Sequence, residues 1–247
     1  MPRIGSSTVA IIPARFASTR LPGKPLLKET GKFLIQHVYE RAARVFARVI
    51  VATDDRRILA AVRSFGGEAA MTSARHPNGT CRIAEVASTL KCSRVVNVQG
   101  DEPEVEAKHL RLVASLLDHA NMATLAIPFS DPTETENPSR VKVVLDKSGF
   151  ALYFSRSRIP SAGDALLHLG LYAYTRQFLL EFVKLSAGRL ERAEKLEQLR
   201  ALENGVRIRV GVVAGVARGG IDTAEDYRAF VERQGRPAGV RKTGGTE

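Results

Sequence analysis

Tryptophan is absent from this chain of 247 residues, methionine occurs three times, and cysteine only twice, as Cys81 and Cys92. Two thiols cannot build the disulfide framework of a small secreted domain and lack the partners for a zinc site, which points to a reducing compartment. No apolar run approaches the roughly 20 residues that a membrane span requires. The N-terminal run Val9-Ala10-Ile11-Ile12 stops at Pro13, too short for the core of a signal peptide. A soluble, cytoplasmic protein is therefore expected, with no membrane partner. Low-complexity tracts and internal repeats are also missing, and with 44% apolar residues the chain can bury a sizeable core.

Acidic residues are in deficit, 26 against 37 basic ones, for a net charge of +11. The excess is not spread out. Residues 1–48 hold nine Lys or Arg against Glu29 and Glu40, a net of +7, and residues 233–247 add +3, which leaves +1 on the 184 residues between. A nucleic-acid binder would carry a basic face over more of its surface, interleaved with aromatics, so no nucleic-acid partner is expected.

What is present is an alternation of short β-branched runs with longer amphipathic stretches, the pattern of a parallel sheet covered by helices. Strands are expected at 9–13, 48–53, 68–71 and 94–99, and helices at 33–45, from Asp54-Asp55 to about 66, and at 79–90. Beyond residue 101 the order loosens. A helix at 107–119 is followed by strands at 123–128, 141–145 and 151–155 with no helix between them, which suggests an antiparallel insertion. A strand at 168–174, helices at 176–184 and 191–204, a strand at 206–213 and a helix capped at Thr223 complete the reading. Residues 236–247 have the composition of a frayed tail.

The loop after the first strand, Pro13-Ala14-Arg15-Phe16-Ala17-Ser18-Thr19-Arg20-Leu21-Pro22-Gly23-Lys24-Pro25-Leu26, gathers three cations and two hydroxyls. It lies at the carboxyl end of a parallel strand, where open α/β sheets bind ligands. Guanidinium forks and a lysine point charge suit the ionised oxygens of a triphosphate. The spacing is not that of a P-loop, and taken alone it leaves a solvated basic loop open. The strand 94–99 runs into Gly100 and the carboxylates Asp101 and Glu102, a combination that could be a turn or a site for a hard cation.

These strings resemble the signatures of sugar-activating nucleotidyltransferases. In the form Ile12-Pro13-Ala14-Arg15, Ser18-Thr19-Arg20-Leu21-Pro22-Gly23-Lys24-Pro25-Leu26 they resemble the cytidylyltransferases that act on 3-deoxy-manno-octulosonate (KDO). Asn97-Val98-Gln99-Gly100-Asp101-Glu102-Pro103 and Gly220-Ile221-Asp222-Thr223-Ala224-Glu225-Asp226 resemble two further motifs of that family, and the likeness extends over about residues 8–234. The resemblance implies an α/β fold of the Rossmann-like type: a mostly parallel sheet with helices on both faces and a smaller antiparallel insertion. It implies one domain over 1–235, with a nucleotide half at 8–105 and a sugar-binding and dimerisation half at 106–235. It implies CTP and KDO as substrates, CMP-KDO and pyrophosphate as products, Mg2+ as cofactor and a homodimer, in a pathway making lipopolysaccharide or a related polysaccharide.

Carried onto this sequence, the resemblance makes Arg15, Lys24 and Asp101 catalytic and Asp101 and Asp222 the metal ligands. CTP would meet Ala14, Arg15, Ser18, Arg20, Lys24, Thr72, His76, Gly79 and Arg82; the sugar would meet Gln99, Arg156, His168, Tyr172, Glu197 and Gln198. An acidic polyol needs a cation and bidentate polar groups, and these residue types supply them. The chain departs from the family in several places. Cys81 stands where an acid is usual, an expected loss of a partner for Arg82; Ala224 replaces a proline and Thr175 an arginine; and the segment 161–167 is short, with less material for a lid over the sugar. A sister enzyme acting on an amino-KDO or a sialic acid would share the CTP half.

Overall fold

A computed structural model describes residues 2–17, 20–215 and 219–235. Ser18 and the expected tail lie outside the described residues.

The first half is a parallel sheet built as the alternation requires. β1 (Thr8–Ala14) lies between β2 (Val49–Thr53) and β4 (Arg94–Asn97), and β3 (Glu68–Met71) extends it beyond β2, all parallel. Helices α1 (Leu34–Ala43), α2 (Arg56–Ser64) and α3 (Gly79–Ser88) make the crossovers. β1 and β2 read as continuous apolar runs because both their faces are covered. Val9 and Ile11 enter one core cluster with α3, while Ala10 and Ile12 enter another with α1 and α2. That period of two is the pleat itself.

After α4 (Ala107–Ser115) the sheet continues through β8 (Leu166–Thr175), β5 (Met122–Pro128) and β9 (Ile208–Val212), in the order β3-β2-β1-β4-β8-β5-β9. β8 runs against both β4 and β5. β6 (Lys142–Leu145) and β7 (Ala151–Ser155) form the antiparallel insertion and join through β6 to the start of β8. The fold is thus a mostly parallel α/β sheet with a smaller antiparallel part. Where β5 meets β8 the register slips, so that Thr124 faces Tyr172 but Leu125 faces Leu169. The bulge frees the carbonyls at 169–171, and the Thr124 hydroxyl sits within 3.1 Å of Leu169 O and 2.8 Å of Leu171 O.

α5 (Arg176–Phe182) follows β8, and its N-cap is Thr175, the residue standing where the family has arginine. Arg176 instead donates to Ala87 O and Ser88 O, closing the free carbonyl end of α3. The single helix expected over 191–204 is two, α6 (Arg189–Glu194) and α7 (Leu199–Glu203). Lys195 between them adopts φ 55°, rare for a residue with a Cβ. Tertiary contacts impose the break: the Arg156 guanidinium takes Glu194 O and Lys195 O, which a continuous helix would have used internally. α8 (Ala224–Gln234) starts on a reciprocal capping box between Thr223 and Asp226, so alanine at 224 leaves its start intact. Leu34, Ile221, Tyr227 and Phe230 pack it against α1 and so set Asp222 beside the basic loop that follows β1.

Candidate active site

The carboxyl ends of β1 and β4 approach so closely that a Cβ on Gly100 would stand 2.8 Å from Pro13 O. Only glycine fits there, and it carries Asp101 toward the basic loop. That loop turns at Gly23, with φ 67°, into a short 3-10 turn that presents Lys24. The Lys24 ammonium donates to Asp101 Oδ2 at 2.8 Å, to Asp222 Oδ1 at 3.2 Å and to Ile221 O at 2.7 Å. Arg20 reaches the same Asp222 oxygen at 3.1 Å. Ile221 N donates to Asp101 O at 2.8 Å, tying the chain before α8 to the end of β4. Four residues from three distant segments therefore meet at one point. Two hard carboxylate oxygens converging on one nitrogen form a donor set that fits a divalent cation, with phosphate and water as the other ligands. Next to Asp101, burial and the Asp101 charge push the Glu102 carboxyl up to about 7.

Arg15 leaves the end of β1 and donates to His76 O at 2.9 Å, joining the basic loop to the segment before α3. His76 pairs through Nε2 with Glu85. Gly79 opens α3 against Pro13, where a Cβ would come within 3.1 Å of the ring, and Ala14 is buried at the strand's end. Thr72 and Arg82 face each other rather than solvent. Arg82 is fully buried, and its guanidinium donates to Thr72 Oγ1 and, at 2.7 Å, to Asp54 Oδ2. Arg82 thus has partners without an acid at 81, against expectation, and its guanidinium, whose Nε is unpaired among the described residues, lies beneath the loop. Cys81 N donates to Asn78 Oδ1, the N-cap contact, and burial raises the Cys81 thiol.

On the sugar side Gln99 Nε2 donates to Gly170 O at 3.4 Å, a carbonyl freed by the bulge. His168 and Tyr172 lie ring against ring with centroids 5.3 Å apart, and Tyr172 stacks on Tyr174. His168 Nε2 is 2.9 Å from Thr124 Oγ1, whose own proton goes to a bulge carbonyl, so the imidazole is the donor. Burial holds the imidazole down to about 3, so His168 is neutral at physiological pH and supplies no charge to an acidic sugar. An imidazole that cannot charge in the fold but charges near 6.5 when unfolded stabilises the fold above pH 6.5, and that contribution is lost as pH falls toward 3. Urea unfolding below pH 6.5 is expected to show stability falling on the order of 1 kcal/mol per pH unit, with a shallower slope in His168→Gln; equal slopes would refute the assignment.

Arg156 is the expected cation for the sugar. Its guanidinium is spent on backbone carbonyls, Glu194 O at 2.8 Å, Pro138 O at 3.0 Å and Lys195 O at 3.4 Å, so it fastens the break between α6 and α7. Glu197 follows that break and accepts from Asn78 Nδ2 and Thr80 Oγ1, both at 2.6 Å. It thereby joins the sugar side to the N-terminus of α3, and burial raises its carboxyl. Gln198 is buried, and its Nε2 has no hydrogen-bond partner among the described residues. Asn78, Thr80, Glu85, Asp54 and Glu194 went unforeseen as members of this network. Only Asn78, an N-cap type immediately before Gly79, carried a local signal.

A basic loop meeting two carboxylates at the carboxyl ends of parallel strands is a site of the nucleotidyltransferase class. The cytidylyltransferase family model matches residues 9–208. A 3-deoxy-manno-octulosonate cytidylyltransferase of Syntrophobacter fumaroxidans is 52% identical over 238 residues, 90% of this chain and 95% of that protein. One of Pseudoalteromonas atlantica is 48% identical over 242 residues, 90% and 95% of the two chains. A solved CMP:2-keto-3-deoxy-manno-octonic acid synthetase complexed with CTP superposes with a TM-score of 0.88 at 42% identity, covering 92% of this chain and 98% of its own. The chain belongs to the cytidylyltransferase family, among its 3-deoxy-manno-octulosonate cytidylyltransferases.

Proposed function

We infer that this protein transfers the cytidylyl group of CTP to the anomeric hydroxyl of KDO, giving CMP-KDO and pyrophosphate. The observation that carries the reading is the meeting of Lys24, Arg20, Asp101 and Asp222 at the ends of β1 and β4, in a chain whose relatives are named for this reaction. A bond forms between the anomeric oxygen and the α-phosphorus, the bond from that phosphorus to the bridging oxygen of pyrophosphate breaks, and the hydroxyl proton is released. Such chemistry is accelerated by positioning and by neutralising charge on the phosphates. Arg15, Arg20 and Lys24 take the triphosphate and hold the departing pyrophosphate. Asp101 and Asp222 hold Mg2+, which when bound supplies charge neutralisation at the phosphates.

The N-terminal part of α3, with Thr72, His76 and Gly79 around it, takes the cytosine, and Arg82 shapes that pocket from beneath. Gln99, His168, Tyr172, Glu197 and Gln198 present hydroxyl-binding groups to the sugar, and Arg156 keeps their scaffold in place. We further read the protein as a cytoplasmic homodimer of one domain, feeding lipopolysaccharide or a related polysaccharide; among the described residues no helix is long and apolar enough to cross a membrane.

Pyrophosphate release from the purified protein tests the reading. Release is expected with CTP, Mg2+ and KDO together, and neither without KDO nor with ATP, GTP or UTP. Turnover on 8-amino-KDO or a sialic acid with none on KDO would overturn the choice of sugar while keeping the CTP half.

A further inference from the structure

We propose that the Lys24 ammonium is a placeholder for the divalent cation: it occupies the point between Asp101 and Asp222 until nucleotide draws it away, so that metal binds those carboxylates tightly only together with CTP. The proposal rests on the reading of Asp101 and Asp222 as metal ligands. Its basis is a count of charges and donors. The ammonium has three N–H donors and three acceptors, Asp101 Oδ2, Asp222 Oδ1 and Ile221 O, all within 3.2 Å. The Lys24 side chain is only 13% exposed. Two cations, Lys24 and Arg20, face two anions, Asp101 and Asp222, so the cluster is balanced as it stands.

A divalent ion reaching these carboxylates would have to share the space with an ammonium hydrogen-bonded to both. An ammonium and a metal ion at such distances repel and compete for the same carboxylate oxygens, so Lys24 has to withdraw. Without nucleotide its withdrawal strips three charge-assisted hydrogen bonds and leaves a cation in a crowded basic loop with Arg15 and Arg20. With a triphosphate in the loop the ammonium exchanges carboxylate oxygens for phosphate oxygens, and the two carboxylates are released to the metal at no net loss of ion pairs. Lys24 is thus a positioning residue before it is a phosphate ligand. Because coupling between two ligands is reciprocal, the ion strengthens CTP binding by the factor by which CTP strengthens ion binding, a factor of about 5 to 150 for couplings of this kind.

The test is Mn2+ alone, titrated into the full chain without nucleotide and followed by loss of the free-ion paramagnetic resonance signal. Lys24→Met is expected to bind Mn2+ about tenfold more tightly than the unaltered chain or better, although the same substitution removes a phosphate contact and lowers turnover. Lys24→Gln, which keeps a polar end, is expected to move in the same direction, and thermal unfolding of both variants checks that they fold. Asp101→Asn placed on Lys24→Met is expected to abolish the gain. Equal Mn2+ affinity in the unaltered chain and in two folded Lys24 variants would overturn the placeholder. A gain that survives Asp101→Asn would overturn it as well, and with it the assignment of Asp101 as a ligand.

Discussion

Asp101→Asn is expected to lower cytidylyl transfer by about 10²- to 10³-fold, the size of effect seen when one preorganised electrostatic group is removed from a reaction centre. The substitution keeps the shape and the backbone contact from Ile221 N to Asp101 O, and it removes one of the two carboxylate charges that face each other across Lys24. Stability should change by no more than about 1 kcal/mol, because the side chain is 31% exposed and Lys24 keeps Asp222 and Ile221 O. Steady-state pyrophosphate release and a urea melt on the same preparation separate the two quantities. A variant with more than a tenth of the original turnover would remove Asp101 from the reaction centre, and a loss of activity that tracked unfolding would assign it a structural role.

The second large effect falls outside the reaction centre. Lys142, the first residue of β6, is fully buried, and its ammonium donates to Asn137 O at 3.1 Å, Arg140 O at 2.7 Å and Arg156 O. Three carbonyls from two segments converge on it, and it accordingly holds the turn before β6 to the chain leaving β7. Lys142→Met preserves most of the volume and leaves all three carbonyls without this donor. Asn137 O keeps the Arg140 N donor, so at about 1–3 kcal/mol for each of the other two carbonyls left unsatisfied the expected cost is about 2 kcal/mol or more. Urea unfolding should show a lower midpoint at an unchanged slope. A cost under about 1 kcal/mol would mean that those carbonyls find water readily and that the ammonium is dispensable. Arg156 hangs from the same knot, so the variant should also weaken sugar binding more than CTP binding.

Much of the first half was legible in the residues. The apolar runs at 9–12 and 49–52 are buried on both faces, so they read as strands whatever surrounds them, and Asp55 and Asn78 cap their helices as local chemistry predicts. The second half was read less well. The helix expected over 191–204 has good local propensity, and its interruption at Lys195 answers to an arginine 39 positions earlier in the chain. Arg156 and Arg82 likewise turn their guanidinium groups to acceptors within the protein. A guanidinium in a motif signals a need for acceptors, and those acceptors can be phosphate, carboxylate or backbone; which of them it meets depends on residues far away.

The sequence by itself determined that a parallel α/β sheet would form, that a basic loop would follow its first strand, and that Asp101 would stand at the end of another, because strand burial and strand ends are local in the chain. Tertiary structure alone decided that Asp222, 121 positions after Asp101, shares one ammonium with it, that Glu197 fastens the sugar side to α3, and that Arg82 is a brace. Pairing distant charged groups requires the core to set their separation, and that separation is a property of packing across the whole sheet.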